Sequence, residues 1–290
     1  VSPDPRRMYM LAFLLGLAIP AGSIYLLDIL DNKVRHRQDI QQQTKIPFLG
    51  MIGQTRQEDT IVVKKGSRSS VAEMFRLLRT NLQFTATGSE GRVLLVTSSI
   101  SGEGKTFVSI NIGASQALSG KRTILLGLDL RKPKLSRYLT GQNSTMGITN
   151  YLVGEAKLSE LIRPVPDFPN LYYLDCGPMP PNPAELLLTD ALKNMIAALR
   201  KDFDAVVIDT APLALVTDAL LLNELVDQTL IVTRFGKTTR NLLRVVDEVY
   251  RNQQLPRMGI MLNGVKARGG YGYGYGYGYG YGYGYGYGYG

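Results

Sequence analysis

The 290-residue sequence has one cysteine and one histidine. A single thiol, Cys176, excludes an intramolecular disulfide framework and any multi-cysteine metal site, and it fits a reducing compartment. The lone histidine, His36, stands between Arg35 and Arg37, a solvated setting that excludes a histidine-based triad or zinc centre. Acids are outnumbered: 24 Asp and Glu face 33 Lys and Arg, a formal net charge of +9. Such a balance points to an anionic partner, whether phosphates, nucleic acid or a membrane surface.

Two stretches lack charge altogether. The first is MYMLAFLLGLAIPAGSIYLL, Met8 to Leu27, 20 positions long. As a helix it would extend about 30 Å, the thickness of a bilayer core. Pro20, Gly16 and Gly22 are tolerable in such a helix, and Tyr9 and Tyr25 fall near its ends, where aromatic residues favour the interface. The stretch is too long for a typical signal-peptide core and has no evident cleavage site. Residues 1–30 are therefore expected to form a transmembrane helix with a short extracytoplasmic flank; a buried soluble helix is the alternative. Val1 opens the chain where Met would be usual, so more sequence is expected upstream. Residues 31–70 read as a juxtamembrane segment and polar linker, with Lys33, Arg35 and Arg37 placed to meet anionic lipid headgroups. Arg6 and Arg7 on the other flank leave charge alone unable to orient the helix.

The second uncharged stretch is the terminus. Tyrosine alternates with glycine there at Tyr271, Tyr273, Tyr275, Tyr277, Tyr279, Tyr281, Tyr283, Tyr285, Tyr287 and Tyr289. Glycine at every second position maximises backbone entropy, and no aliphatic residue offers a core, so residues 269–290 are expected to be disordered. A sticky low-complexity element and a cloning remnant are the plain explanations. The third is that the phenols are substrates.

Between these stretches, apolar runs alternate with helical patterns. RVLLVTS, RTILLGLDL, NLYYLDCG, DAVVIDTAP, QTLIVTRF and RMGIMLNGV read as strands, and Lys105 to Leu118 as a helix. NPAELLLTDALKNMIAALRK reads as helix in one or two pieces, and TDALLLNELV and TTRNLLRVVDEVYRNQ as helices. SSVAEMFRLLRTNLQF is a helix with Ser70 as a possible cap, its Val71, Phe75, Leu78 and Leu82 at helical spacing. Continuous Val/Ile/Leu strands are buried on both faces, and strand–helix alternation predicts a doubly wound, mostly parallel α/β domain over 71–268.

The chemistry lies at strand ends. SSISGEGKTF follows the first buried strand and opens a helix. Ser101, Gly102, Glu103, Gly104, Lys105, Thr106 and Phe107 match a phosphate-binding loop, although the strict pattern has glycine where Ser99 stands. Lys105 would reach the β- and γ-phosphates, and Thr106 would ligate Mg²⁺. LLGLDLRKP brings Asp129 and Arg131 to another strand end, and VVID brings Asp209 to a third. In doubly wound sheets ligands bind at the carboxyl ends of strands, so Lys105, Asp129 and Asp209 should converge on one rim, with Thr106, Asp129 and Asp209 around the metal. Asn263 ends the last strand, near where adenine would lie; Asp218 could orient catalytic groups or cap a helix; Lys132 and Lys134 extend a basic cluster beside Arg131.

SGEGKT, LDLRKP and VVIDTAP resemble the Walker A, Walker A′ and Walker B motifs of the bacterial tyrosine kinases. The membrane entry resembles the second transmembrane segment of polysaccharide chain-length determinant proteins, to which such kinases are often fused. EMFRLLR resembles the family's oligomerisation motif through Glu73, Arg76 and Arg79, and the terminal tyrosines resemble its autophosphorylated cluster. The resemblance implies a P-loop fold, ATP and Mg²⁺ as cofactors, a homo-oligomeric ring at the bacterial inner membrane with the kinase domain in the cytoplasm, and phosphorylation of the tail in trans. It further implies partnership with lipids, with polysaccharide assembly and export machinery and with a tyrosine phosphatase, and none with nucleic acid. One departure stands out. The family's second motif usually has an acid two residues before its aspartate, where this chain has Gly127. A weakly active or non-catalytic ATP-binding scaffold is therefore one rival. A ParA/MinD-like ATPase is the other, although Ile100 occupies the position of that group's signature lysine.

Overall fold

A computed structural model describes residues 5–55, 60–85, 93–214 and 217–266; in its first helix the side chains of Arg7 and residues 24–30 are outside the description. The terminal tyrosines lie outside the described residues.

The elements follow the sequence pattern. Helix α1 (Pro5–Leu30) and the short α2 (Arg37–Gln41) precede strand β1 (Phe48–Gly53) and helix α3 (Ser70–Thr85). Then come β2 (Val93–Ser98), α4 (Lys105–Leu118), β3 (Thr123–Leu128), α5 (Leu135–Thr140), α6 (Ile148–Leu152), α7 (Leu158–Leu161), β4 (Arg163–Pro164) and β5 (Leu171–Leu174). Helices α8 (Pro183–Leu187) and α9 (Asp190–Asp202), strands β6 (Ala205–Thr210) and β7 (Gln228–Arg234), helix α10 (Arg240–Arg251) and β8 (Met258–Val265) complete the chain.

The eight strands form one sheet in the order β1-β8-β7-β2-β6-β3-β5-β4. Every pairing is parallel except β4 with β5. Strands β2, β3 and β6 are buried along their whole length, as their unbroken apolar runs require of parallel strands covered on both faces. One face is covered by Ala72, Phe75, Leu78 and Leu82 of α3 and by Val108 and Ile112 of α4. The other takes Leu192, Met195, Ile196 and Leu199 of α9 and Leu243, Val246 and Val249 of α10. Gly113 lets α4 approach closely, since a Cβ there would run into Leu125 of β3. β2 leads through α4 to β3 on one side of it, while its neighbour β6 leads to β7 on the other, so the crossovers from these two adjacent strands leave in opposite directions. A crevice opens at such a reversal.

Three local features differ from the sequence reading. TDALLLNELV, expected as an α-helix, contains a six-residue 3-10 run, Leu220–Leu225. Leu222 of that run is buried, and Leu220, Leu221 and Leu225 pack half-buried against the core; 3-10 geometry is common in such short connecting runs. The cap of α3 is Ser69, whose Oγ accepts from Ala72 N at 3.2 Å, and not Ser70, which is already helical. The apolar piece IPFLGMIG is a parallel edge strand, β1, on β8.

The segment after α1 is docked on the domain. Val34, Ile40 and Ile46 are buried in the core, Gly236 N donates to Val34 O at 2.8 Å, and Arg240 pairs with Asp39 at 3.0 Å. The described side chains of α1 project outward; Tyr9, Phe13 and Ile19 are all exposed. Among the described residues, no helix is long and apolar enough to cross a membrane.

Phe75 is fully buried, and its ring meets Phe107 edge-on at 5.7 Å, joining α3 to α4. Phe75→Ala is expected to cost about 3–5 kcal/mol of stability in urea or thermal unfolding; a loss below about 1 kcal/mol would show that α3 is not packed on the sheet.

Candidate functional site

The loop from Ser99 to Gly104 joins β2 to α4. Gly102 and Gly104 have φ of 82° and 95°, the left-handed region open mainly to glycine. A Cβ at Gly104 would run into Asn263 Nδ2, and one at Gly102 would displace the end of the Lys237 side chain. The first turn of α4 then presents its unpaired N–H groups and the positive end of its dipole toward the loop.

The loop is fastened from behind by Glu103. Its buried carboxylate accepts from Ser99 Oγ at 2.7 Å, from Ile100 N at 2.9 Å and from Thr238 Oγ1. Burial pushes its carboxyl above the ordinary range, and these donors oppose that rise. Ser99, at the position where the strict motif has glycine, is thereby part of the fastening. Asn263 Nδ2 donates to Glu103 O at 2.9 Å, tying β8 to the loop. Glu103 and Asn263 thus turn their side chains to the protein, and Phe107 turns its ring to Phe75.

The acids arrive from neighbouring strands. Asp209 lies in β6, and Asp129 directly follows β3. Lys105 Nζ donates to Asp129 Oδ2 at 2.7 Å and lies 3.6 Å from Asp209 Oδ1. Thr106 Oγ1 donates to Asp209 Oδ2 at 2.7 Å, and Lys132 N donates to Asp129 Oδ1 at 3.0 Å. Burial alone would pull the Lys105 ammonium down, but Asp209 and Asp129 outweigh it and hold its pKa up. Burial drives the Asp209 carboxyl up despite Lys105 and Thr106. One lysine, one hydroxyl and two carboxylates, spread over more than a hundred positions, therefore share one pocket at the rim.

This donor set suits magnesium. A hydroxyl and two carboxylates are hard oxygen ligands, and magnesium keeps several waters and substrate phosphates besides one or two protein carboxylates. Among the described residues no three acidic, histidine or cysteine side chains form a metal cluster.

The remaining residues divide. Arg131 makes two hydrogen bonds to the buried Asp218, at 2.8 and 3.0 Å, so Asp218 fixes a guanidinium at the rim. Glu73 pairs with Arg76 on α3; Arg76 also donates to Ser67 O at 2.8 Å, and Arg79 to Ser115 O of α4 at 2.7 Å. Both arginines are partly engaged within the subunit, which leaves Glu73 as the most exposed of the three. Sequence reasoning passed over Ser109, Lys237 and Asp175. Ser109 stands one helical turn after Lys105, with Oγ 3.5 Å from Asp209, and that spacing was a usable signal. Asp175 directly follows β5, the same strand-end rule that singled out Asp129. Lys237, in the β7–α10 loop, carried no signal beyond its charge.

No family model matches the chain. Among curated proteins, tyrosine-protein kinase CpsD of Streptococcus agalactiae serotype III (strain NEM316) is 35% identical over 193 residues, 67% of this chain and 82% of the relative. Tyrosine-protein kinase YwqD of Bacillus subtilis (strain 168) is 30% identical over 212 residues, 73% of this chain and 89% of the relative. Among solved structures, the kinase domain of Escherichia coli tyrosine kinase ETK superposes with a TM-score of 0.73 at 27% identity, covering 84% of this chain and 100% of that one. The BceF tyrosine kinase domain gives a TM-score of 0.70 at 27% identity, with 80% and 99% covered. Sequence likeness and superposition agree with the strand-end geometry: the chain belongs to the bacterial tyrosine-protein kinases.

Proposed function

We propose that this kinase uses Mg-ATP to phosphorylate the tyrosines of its own terminus, Tyr271 to Tyr289, on neighbouring subunits. The observation that carries the reading is the meeting of Lys105, Thr106, Asp129 and Asp209 beside a glycine loop at a helix start. Magnesium, held by Thr106, Asp129 and Asp209, would neutralise phosphate charge and align the oxygens for in-line transfer. Lys105 would move from its two acids to the β- and γ-phosphates. Arg131, held by Asp218, would steady the outer phosphate. Phosphoryl transfer depends chiefly on such positioning and charge stabilisation.

The length of the terminus permits transfer between subunits. A Tyr-Gly coil of about 20 residues averages roughly 25 Å end to end and stretches to at most about 70 Å, enough to enter an adjoining site. Glu73, exposed on α3, with Arg76 and Arg79 beside it, is the proposed face for a homo-oligomeric ring. Although no described helix is long and apolar enough to span a bilayer, Phe13, Leu14 and Ile19 stand exposed within the uncharged run Met8–Leu27, and these apolar side chains motivate the proposal of a bacterial inner-membrane attachment with the kinase domain in the cytoplasm. Kinship with kinases such as one described as lying in a cps region of Klebsiella pneumoniae supports a role in capsular or exopolysaccharide assembly, with export machinery and a phosphatase as partners.

Incubation with Mg-ATP is expected to give anti-phosphotyrosine signal on the wild type and at least a hundredfold less on Lys105→Met; equal signal would reject the site. Mixing a Lys105→Met subunit with a tail-deleted subunit is expected to put phosphate on the former's tail, and an unlabelled tail would reject transfer in trans. Each phosphotyrosine adds about −1.5 to −2 charges, so five add roughly −8 to −10, enough to cancel the formal +9 and drive subunits apart. Native mass spectrometry is expected to show smaller oligomers before phosphatase treatment than after; an unchanged size would refute the charge switch.

A further inference from the structure

Strands β6, β3 and β5 lie side by side. Asp209 of β6 is level with Gly127 of β3, and Leu126 is level with Leu174 of β5. Asp175, next after Leu174, therefore flanks Gly127 on the side away from Asp209. A Cβ built on Gly127 would stand 3.0 Å from Asp175 Oδ1 and 3.4 Å from both Cys176 N and Leu135 Cβ. A side chain at position 127 would press on the carboxylate of Asp175 from its first carbon.

That carboxylate is unusual at this rim. Asp129 is engaged by Lys105 and Lys132 N, Asp209 by Thr106 and Lys105, and Asp218 by Arg131. Asp175 is only 5% exposed, yet its Oδ1 is buried with no hydrogen-bond partner among the described residues. A buried, unsatisfied carboxylate oxygen is costly, and a hydrogen-bond donor arriving from outside removes the cost. Asp175 borders a cavity of about 770 Å³ whose wall mixes apolar and cationic groups: Tyr138, Pro178 and Met179 with Arg131 and Lys132. Such a wall accepts a flat ring on one side and phosphate charge on the other.

We propose that Asp175 is the residue that receives the acceptor tyrosine, binding its hydroxyl and taking its proton, with the carboxylate supplied by β5 because β3 has glycine at 127. The assignment rests on the phosphotransfer reading above and adds the group that handles the acceptor. In the step, the phenol oxygen bonds to the γ-phosphorus of ATP. The bond from that phosphorus to the β,γ-bridging oxygen breaks, its electron pair leaving on ADP. The phenol proton passes to Asp175 and is returned to water once phosphotyrosine departs.

The test uses the full chain, a synthetic Tyr-Gly repeat peptide as acceptor, and a fluorescent ADP analogue with magnesium to read nucleotide affinity. Asp175→Asn keeps the shape and is expected to lower kcat for the peptide at least a hundredfold, with nucleotide Kd within twofold of wild type and an unchanged melting curve. The double variant Gly127→Asp/Asp175→Ala, which moves the acid from β5 to β3 and clears the space for it, is expected to transfer at least tenfold faster than Asp175→Ala alone. Transfer by Asp175→Asn within threefold of wild type overturns the assignment. So does a nucleotide affinity that falls in step with transfer, or a double variant no faster than Asp175→Ala. A wild-type chain that leaves the peptide unphosphorylated overturns the phosphotransfer reading and this assignment together, whereas an active wild type with an equally active Asp175→Asn overturns this assignment alone.

Discussion

The rim is organised around one buried ammonium. Lys105 is almost removed from water, and a cation so placed persists only if anions accompany it. Asp129 and Asp209 are those anions, and each is itself buried, so the three groups depend on one another. No single member could occupy its place with the others neutral. The same mutual dependence makes the site responsive. A magnesium-bound triphosphate brings both signs of charge at once. Under the proposed reading, the ammonium would turn to phosphate and the carboxylates to metal, so that each charge would keep a partner.

The fold exists to hold that cluster in register. β2 delivers the loop, β3 and β6 deliver the acids, and their parallel pairing puts all three carboxyl ends on one edge. Close helix approach at Gly113 and the Phe75–Phe107 contact set α3 and α4 on one face of the sheet, and α4 is the helix whose first turn carries Lys105 and Thr106. The carboxylate of Glu103 closes the loop from within, and Asn263 anchors it to β8, so the loop is held from two elements as well as by its glycines. The family's usual acid is missing at Gly127, but the space beside it holds carboxylate oxygen from Asp175, contributed by the neighbouring strand.

Much of this was legible before any coordinates. The buried strands declared themselves as continuous aliphatic runs, because a parallel strand covered on both faces has no polar side to display. Lys105–Leu118 was readable as a helix because the glycine loop precedes it and Gly120 follows it. The strand-end position of Asp129 and Asp209 was readable because each closes an aliphatic run. Less legible were elements whose identity depends on their neighbours. β1 is a strand because β8 offers an edge to pair with, and the 3-10 form of Leu220–Leu225 was not marked by its leucine pattern. The attachment of Val34 rests on hydrogen bonds with Thr238 and Gly236, some two hundred positions away.

The sequence by itself determined the fold class, the phosphate loop and the two strand-end acids, because local periodicity and local backbone need are written residue by residue. Only the tertiary structure decided which distant side chains share a charge, which face the protein instead of the site, and that the carboxylate beside Gly127 comes from the end of β5. Those outcomes follow from strand order and register, and neither is encoded in the spacing of residues along one chain segment. They arise when separate segments bury their apolar faces together and bring their polar ends to a common edge.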